Sequence, residues 1–265
     1  LPETDPDSDL ALLKQAARDA GDIALRYARD GAEVWHKPDE AGPVTEADLA
    51  VDGMLKDRLL TARPDHGWLS EETEDDTDRL STTRQFIVDP IDGTRAFIAG
   101  QKDWAISIAL AEAGEVIAGV VHVPVRGITY WARKGGGAFS NDTPISVAAP
   151  SDGTMRVLAN RPAFDGRFWR DGTPPGERHF RSSIAYRLCL AATGRFDAMV
   201  TLRPSWEWDV AAGAIIVAEA GGIVTDRNDR PAIFNRAPPQ IDGMIAAAPA
   251  AHAEIIARLD VPGPR

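Results

Sequence analysis

One short segment constrains this chain more than any other: Phe86-Ile87-Val88-Asp89-Pro90-Ile91-Asp92-Gly93-Thr94. An apolar strand delivers Asp89 to its end, Pro90 stiffens the turn, and Asp92, three residues on, swings back so that both carboxylates face one point. Two converging carboxylates attract a cation. Gly93 lets backbone approach a ligand, and Thr94 opens a short helix whose free N–H groups suit a phosphate. Strand, carboxylate pair and turn together describe a metal-assisted phosphate site, although aspartates in such a place also serve simply to shape a turn.

The flanking pattern alternates helices and strands. Leu10, Leu13, Ala17, Ala20, Ala24 and Tyr27 share one helical face between Asp9 and Arg29. Thr45-Glu46-Ala47-Asp48 has the form of a capping box, and Val51, Met54, Leu55 and Leu59 continue one face until Pro64. Trp104 to Leu110 alternates as a strand with Ile106, Ile108 and Leu110 on one side. Val116–Val125 and Gly127–Ala132 read as strands parted by a turn at Pro124 to Gly127, and Gly135-Gly136-Gly137 as a hairpin turn. Turn formers between Ala149 and Gly153 mark the best boundary, giving an N-terminal lobe 1–148 and a C-terminal lobe 149–265 around one cleft. A polar, proline-bearing stretch follows from Arg161 to Arg178. Ser182 or Ser183 caps a helix that closes at Gly194, and a helix from Trp208 to about Ala220 closes at Gly221-Gly222 before strand Ile223-Val224. The mixture indicates an α+β or layered α/β protein.

Composition narrows the function. The chain has 265 residues and a formal net charge of −11, so long polyanions such as nucleic acid and anionic membranes are poor partners, whereas a small anion held by metal ions is not excluded. The single cysteine, Cys189, permits no internal disulfide and fits a reducing, cytoplasmic setting. No apolar run is long enough to span a bilayer, and the acidic N-terminus reads as neither signal peptide nor anchor. The five histidines form no H-x-x-x-H pair, so zinc is unsupported. The glycine triplet lacks the trailing lysine of a P-loop, and residues 71–78 lack the spacing of an EF-hand. A haloacid-dehalogenase motif would separate its aspartates by two residues, not three.

Two further acidic elements stand out. In Trp68-Leu69-Ser70-Glu71-Glu72-Thr73-Glu74-Asp75-Asp76 most of the run reads as solvated surface, with Glu71 the exception, placed where a strand leaves the core. In Trp206-Glu207-Trp208-Asp209, Asp209 lies at the mouth of an apolar helix, where an aspartate ordinarily caps.

Taken together, Val44-Thr45-Glu46-Ala47-Asp48, Ser70-Glu71-Glu72, Asp89 to Thr94 and Trp208-Asp209-Val210-Ala211-Ala212 resemble, in order and spacing, the four motifs of the inositol monophosphatase superfamily of magnesium-dependent, lithium-sensitive phosphomonoesterases. The resemblance runs from Leu10 to Leu259. It implies a layered αβαβα sandwich of the inositol monophosphatase and fructose-1,6-bisphosphatase type. It also implies a cluster of two or three Mg²⁺ ions: Glu71, Asp89 and the Ile91 carbonyl at the first, Asp89, Asp92 and Asp209 at the second, and a weaker third near Glu71. The resemblance further implies that a water activated by bound metal would attack the phosphate ester directly, with Asp48, Glu71 and Thr94 orienting and deprotonating it and the Gly93 and Thr94 amides holding phosphate oxygens. A capping-box role alone also accounts for Asp48. An all-oxygen ligand set is what Mg²⁺ prefers.

Leu69-Ser70-Glu71-Glu72, Arg95 and Lys102-Asp103-Trp104-Ala105 resemble CysQ-type 3'(2'),5'-bisphosphate nucleotidases of sulfur metabolism. Arg187 is then a candidate partner for a second phosphate, or else a surface arginine of an amphipathic helix. Tyr186 stacks on a base or packs in the core. Ser182-Ser183-Ile184-Ala185-Tyr186-Arg187 departs from the glycine-serine-serine and lysine pattern of many such enzymes. Inositol-1-monophosphatase is the alternative, with fructose-1,6-bisphosphatase, histidinol-phosphate phosphatase and a non-catalytic metal-binding protein behind it. The substrate expected is a small phosphate ester, and a homodimer is compatible with the resemblance.

Overall fold

The computed structural model describes residues 6–37, 42–75, 77–148 and 153–260. Helix α1 (Pro6–Asp30) is followed by the hairpin β1 (Val34–His36) and β2 (Pro43–Thr45), then α2 (Glu46–Ala62). Next come β3 (Gly67–Ser70), β4 (Arg84–Asp92), α3 (Thr94–Ile98), β5 (Ala105–Glu112), β6 (Glu115–Val123), β7 (Ile128–Arg133), β8 (Ala138–Ser140) and β9 (Thr143–Ile145). The remainder is β10 (Arg156–Ala159), β11 (Glu177–His179), α4 (Ile184–Ala192), β12 (Ala198–Thr201), β13 (Ser205–Trp206), α5 (Glu207–Glu219), β14 (Ile223–Thr225), β15 (Gln240–Ile241), β16 (Met244–Ala247) and α6 (Pro249–Arg258).

Strands β3 to β9 form a seven-stranded sheet in sequence order, with β3 parallel to β4 and the rest antiparallel. A five-stranded sheet has the order β11-β10-β12-β16-β14. Helices α1 and α2 cover one face of the larger sheet, burying Leu13, Leu55 and Leu59 against Phe86, Val88, Ile106, Ile108 and Leu110. Helices α4 and α5 fill the space between the sheets, against Ile87, Ala105 and Ala109 on one side and Met199, Met244 and Ala246 on the other. Helix α6 closes the outer face of the smaller sheet with Ala251 and Ile255. The layers are therefore helix, sheet, helix, sheet, helix, the sandwich expected. Because the larger sheet is covered on both faces, β4 is buried almost throughout, from Gln85 to Asp92.

Several boundaries differ from expectation. β4 begins at Arg84 and continues through Pro90 to Asp92, since a bulge between Asp89 and Asp92 removes the need for a proline N–H in the ladder. β6 stops at Val123 because Pro124 opens a 3₁₀ turn, so Val125 lies in the turn. β5 starts at Ala105, with Trp104 buried just before it. The Arg161–Arg178 stretch holds two 3₁₀ turns and the start of β11. The boundary expected at Ala149 to Gly153 lies largely outside the described residues, although the two sheets fall on either side of it.

Candidate metal centre

Strand pairing brings the carboxylates together. Ser70 at the end of β3 is in register with Val88, and the Glu71 amide donates to the Val88 carbonyl at 3.2 Å, so Glu71 emerges beside Asp89. Asp209 arrives from the middle helical layer, where Gly213 is the reason α5 lies so near α4: a Cβ there would meet Leu188 Cδ1 at 2.4 Å. Carboxylate oxygens of Glu71, Asp89 and Asp209 lie within 4.8 Å of one another.

Asp209 is not the cap of α5, contrary to one reading of its position. The N-cap is Trp206, which makes no side-chain cap, and Asp209 sits in the first turn with its side chain free for the cluster. Asp92 is held from the other helix. Its Oδ2 accepts from Ser183 Oγ and from the Ala185 amide, both at 2.6 Å. Ser183 also caps α4 by accepting from the Tyr186 amide at 2.9 Å, which settles the choice between Ser182 and Ser183.

The electrostatics show what such a cluster requires. Burial, then the charges of Glu71, Asp92 and Asp209, raise Asp89 well above the usual carboxylate range. Burial, then Asp92 and Glu71, do the same to Asp209, and burial takes Asp92 to about 6. Asp89 Oδ1 is buried without a hydrogen-bond partner among the described residues. An orphaned carboxylate oxygen among carboxylates that resist joint ionisation, with oxygen donors only, fits a hard divalent cation such as Mg²⁺.

The Thr45–Asp48 capping box is present, and Asp48 does more than cap. Its Oδ2 accepts from the Thr45 amide (2.8 Å) and hydroxyl (2.6 Å), while Oδ1 lies 3.2 Å from Thr94 Oγ1. Thr94 Oγ1 is also 3.2 Å from the Ile91 carbonyl, so its one proton serves either acceptor. Burial raises Asp48 to about 6. Gly93 adopts φ +100°, a left-handed backbone that favours glycine, and lies against the Asp103 carbonyl, the Ser183 amide and Trp104 Cα.

The alternatives at two positions on α4 are narrowed by burial. Arg187 is buried, not on a surface: a helix packed between two sheets has no solvent face. Its Nε lies 3.3 Å from the Ser183 carbonyl, its guanidinium 5.4 Å from the exposed Phe180 ring, and its Nη1 has no partner among the described residues. Tyr186 is buried beside Tyr130 in the core and offers no face to a base.

The acidic run after β3 is less solvated than its composition indicates. Lys37, just beyond β1, donates to Glu71 Oε1 (2.8 Å) and Glu72 Oε1 (2.7 Å), and the Glu72 side chain is 4% exposed. Burial opposes the Lys37 charge, but the two glutamates outweigh it and hold its pKa high; burial takes Glu72 to about 7. Asp52 accepts from Ser70 and, at 2.7 Å, from Thr73. Asp75 receives Arg79 Nε (2.9 Å) and Nη2 (2.6 Å), while Arg79 also reaches Asn235 Oδ1 (2.6 Å) and the Arg236 carbonyl (2.8 Å). Glu207 completes this clasp by accepting from the Asn235 (2.7 Å) and Arg236 (2.8 Å) amides. The loop that follows Glu71 and the helix that carries Asp209 are thus tied to the same residues. Apart from the Asp75–Arg79 pair, four residues apart, these contacts join segments far apart in the chain and have no local signal.

Residues 5–261 match the inositol monophosphatase family. The chain belongs to that family. It is 34% identical over 235 residues to an inositol-1-monophosphatase of Rhizobium meliloti, covering 82% of this chain and 85% of the relative. It is 30% identical over 231 residues to the 3'(2'),5'-bisphosphate nucleotidase CysQ of Aggregatibacter actinomycetemcomitans, covering 84% and 86%. Among solved structures, a Thermotoga maritima IMPase superposes with a TM-score of 0.79 at 31% identity, covering 94% of each chain. Among the described residues, no helix is long and apolar enough to cross a membrane.

Proposed function

We propose that this protein is an Mg²⁺-dependent phosphomonoesterase whose substrate is a 3'(2'),5'-bisphosphate nucleotide. The observation that carries the phosphatase reading is the convergence of Glu71, Asp89 and Asp209 around the unpartnered Asp89 Oδ1, next to the Gly93–Thr94 backbone. In this reading Glu71, Asp89 and the Ile91 carbonyl hold one ion and Asp89, Asp92 and Asp209 another, at the junction of lobes 1–148 and 149–265. Mg²⁺ bound there supplies electrophilic charge toward the phosphate and acidifies a water.

The chain's own groups do the rest. The Thr94 hydroxyl, donating to Asp48 Oδ1, leaves its lone pairs to orient a water, and Asp48, with a pKa of about 6, accepts a proton near neutrality. Glu71 shares the water's orientation. The Gly93 and Thr94 amides hold phosphate oxygens. Arg187 carries a buried positive charge toward Asp92 and Asp209. A fixed cation with an unpartnered Nη1 beside this centre supports a substrate with more anionic charge than one phosphate.

Inositol-1-monophosphatase is the second reading, favoured by the relative at 34% identity. The test compares kcat/KM for phosphate release from adenosine 3',5'-bisphosphate and inositol 1-phosphate with Mg²⁺. A preference for the nucleotide of about a hundredfold, roughly 2.7 kcal/mol of transition-state binding, supports the first reading. The reverse preference establishes the second, and activity on neither removes both.

A further inference from the structure

The loop from β12 to α5 presents an exposed arginine and, three residues on, an open aromatic ring. Trp206 and Trp208 stack face to face, with centroids 4.8 Å apart and planes 9° from parallel. Trp208 packs against the core between the sheets. One face of Trp206 is thus taken, yet the residue is 42% exposed, so its other face is open. Trp206 is the N-cap of α5 and Asp209 the third residue of the helix, so the stacked pair stands within one helical turn of the carboxylate cluster.

Arg203, three residues before Trp206, is exposed and has no ion-pair partner among the described residues. It stands close enough for its charge to act on both Asp209 and Arg187. The loop is held firmly. Ser205 and Trp206 pair with Ile241 and Gln240, the Glu207 amide donates to the Pro239 carbonyl at 3.0 Å, and the Glu207 carboxylate takes the Asn235 and Arg236 amides. An aromatic ring fixed in this way loses little entropy when a second ring stacks on it.

We propose that Trp206 and Arg203 form a specificity subsite on the leaving-group side of the carboxylate centre, for an ester whose alcohol is a planar heteroaromatic nucleoside carrying a second phosphate. Trp206 stacks on the base, and Arg203 pairs with the phosphate that is not hydrolysed. The proposal rests on the phosphatase reading above and names which part of the substrate this chain selects. Neither residue touches the reacting atoms; both set preference among esters.

The test uses adenosine 3',5'-bisphosphate, adenosine 3'-monophosphate and glycerol 2-phosphate with the whole 265-residue chain and Mg²⁺. Stacking on an aromatic side chain contributes about 1–3 kcal/mol per base, so Trp206→Leu is expected to lower the kcat/KM ratio of adenosine 3'-monophosphate to glycerol 2-phosphate by roughly fivefold to a hundredfold. Trp206→Phe, which keeps a ring, restores most of that ratio. Arg203→Met is expected to lower the ratio of bisphosphate to monophosphate nucleotide about tenfold while leaving the first ratio within twofold. Ratios that stay within twofold of wild type in both Trp206→Leu and Arg203→Met overturn the subsite. If no ester is hydrolysed the phosphatase reading falls, and calorimetric titration with adenosine 3',5'-bisphosphate decides the subsite: equal affinity in wild type and Trp206→Leu overturns it.

Discussion

Arg79 offers a test of how the centre is braced. It is fully buried, and it spans Asp75, Asn235 and the Arg236 carbonyl. Arg79→Met keeps much of the side-chain volume and removes every polar contact. Breaking a buried ion pair by deleting one partner costs about 3–5 kcal/mol. The lower end applies, because Asp75 is 24% exposed and regains water, whereas Asn235 Oδ1 and the Arg236 carbonyl lose their donor. For a chain of this size a loss of about 3 kcal/mol lowers Tm by roughly 6–12 °C. Thermal unfolding followed by far-UV circular dichroism in EDTA reads it without interference from metal. The Glu71 loop also loses its tie to the loop clasped by Glu207, so Mg²⁺ affinity is expected to fall in calorimetric titration. A Tm change below 2 °C with unaltered Mg²⁺ affinity would refute the brace.

Three further outcomes are expected. Asp48→Asn leaves the Thr45 contacts an acceptor but removes a carboxylate whose pKa burial has raised to about 6, and phosphate release should drop by about a hundredfold. The same variant tests linkage. A folded pKa above the unfolded value means stability is fully present below about 4 and lost as pH rises through about 6, so the metal-free variant should gain Tm relative to wild type at pH 8 but not at pH 4. Ser183→Ala removes the cap of α4 and one of the donors to Asp92, with an expected loss of about 1–2 kcal/mol in urea unfolding and weaker Mg²⁺ binding.

Much of the site was legible because its signals are local. An apolar strand ending in Asp89, a proline and glycine turn, and an acidic residue where each element leaves the core can all be read within ten residues. The helix, sheet, helix, sheet, helix order followed from the resemblance those motifs carry. What could not be read depends on packing between distant segments. From its own helix Arg187 reads equally as a surface residue, but α4 lies between two sheets. Glu72 and Asp75 looked like surface until Lys37 and Arg79 arrived from 35 residues upstream and 4 downstream. The glycine triplet was correctly a turn, yet nothing nearby indicated that Glu219 would accept from the Gly135 and Gly137 amides at 2.7 and 2.8 Å.

The central claim is that Glu71, Asp89 and Asp209 hold a divalent cation. Calorimetric titration of Mg²⁺ into wild type and Asp89→Asn measures it directly. Binding to wild type should be saturable and should stabilise the fold by about 2.7 kcal/mol at a hundredfold excess over Kd, while Asp89→Asn, still folded, should bind far more weakly. No binding to wild type, or equal binding to a folded Asp89→Asn, would contradict it.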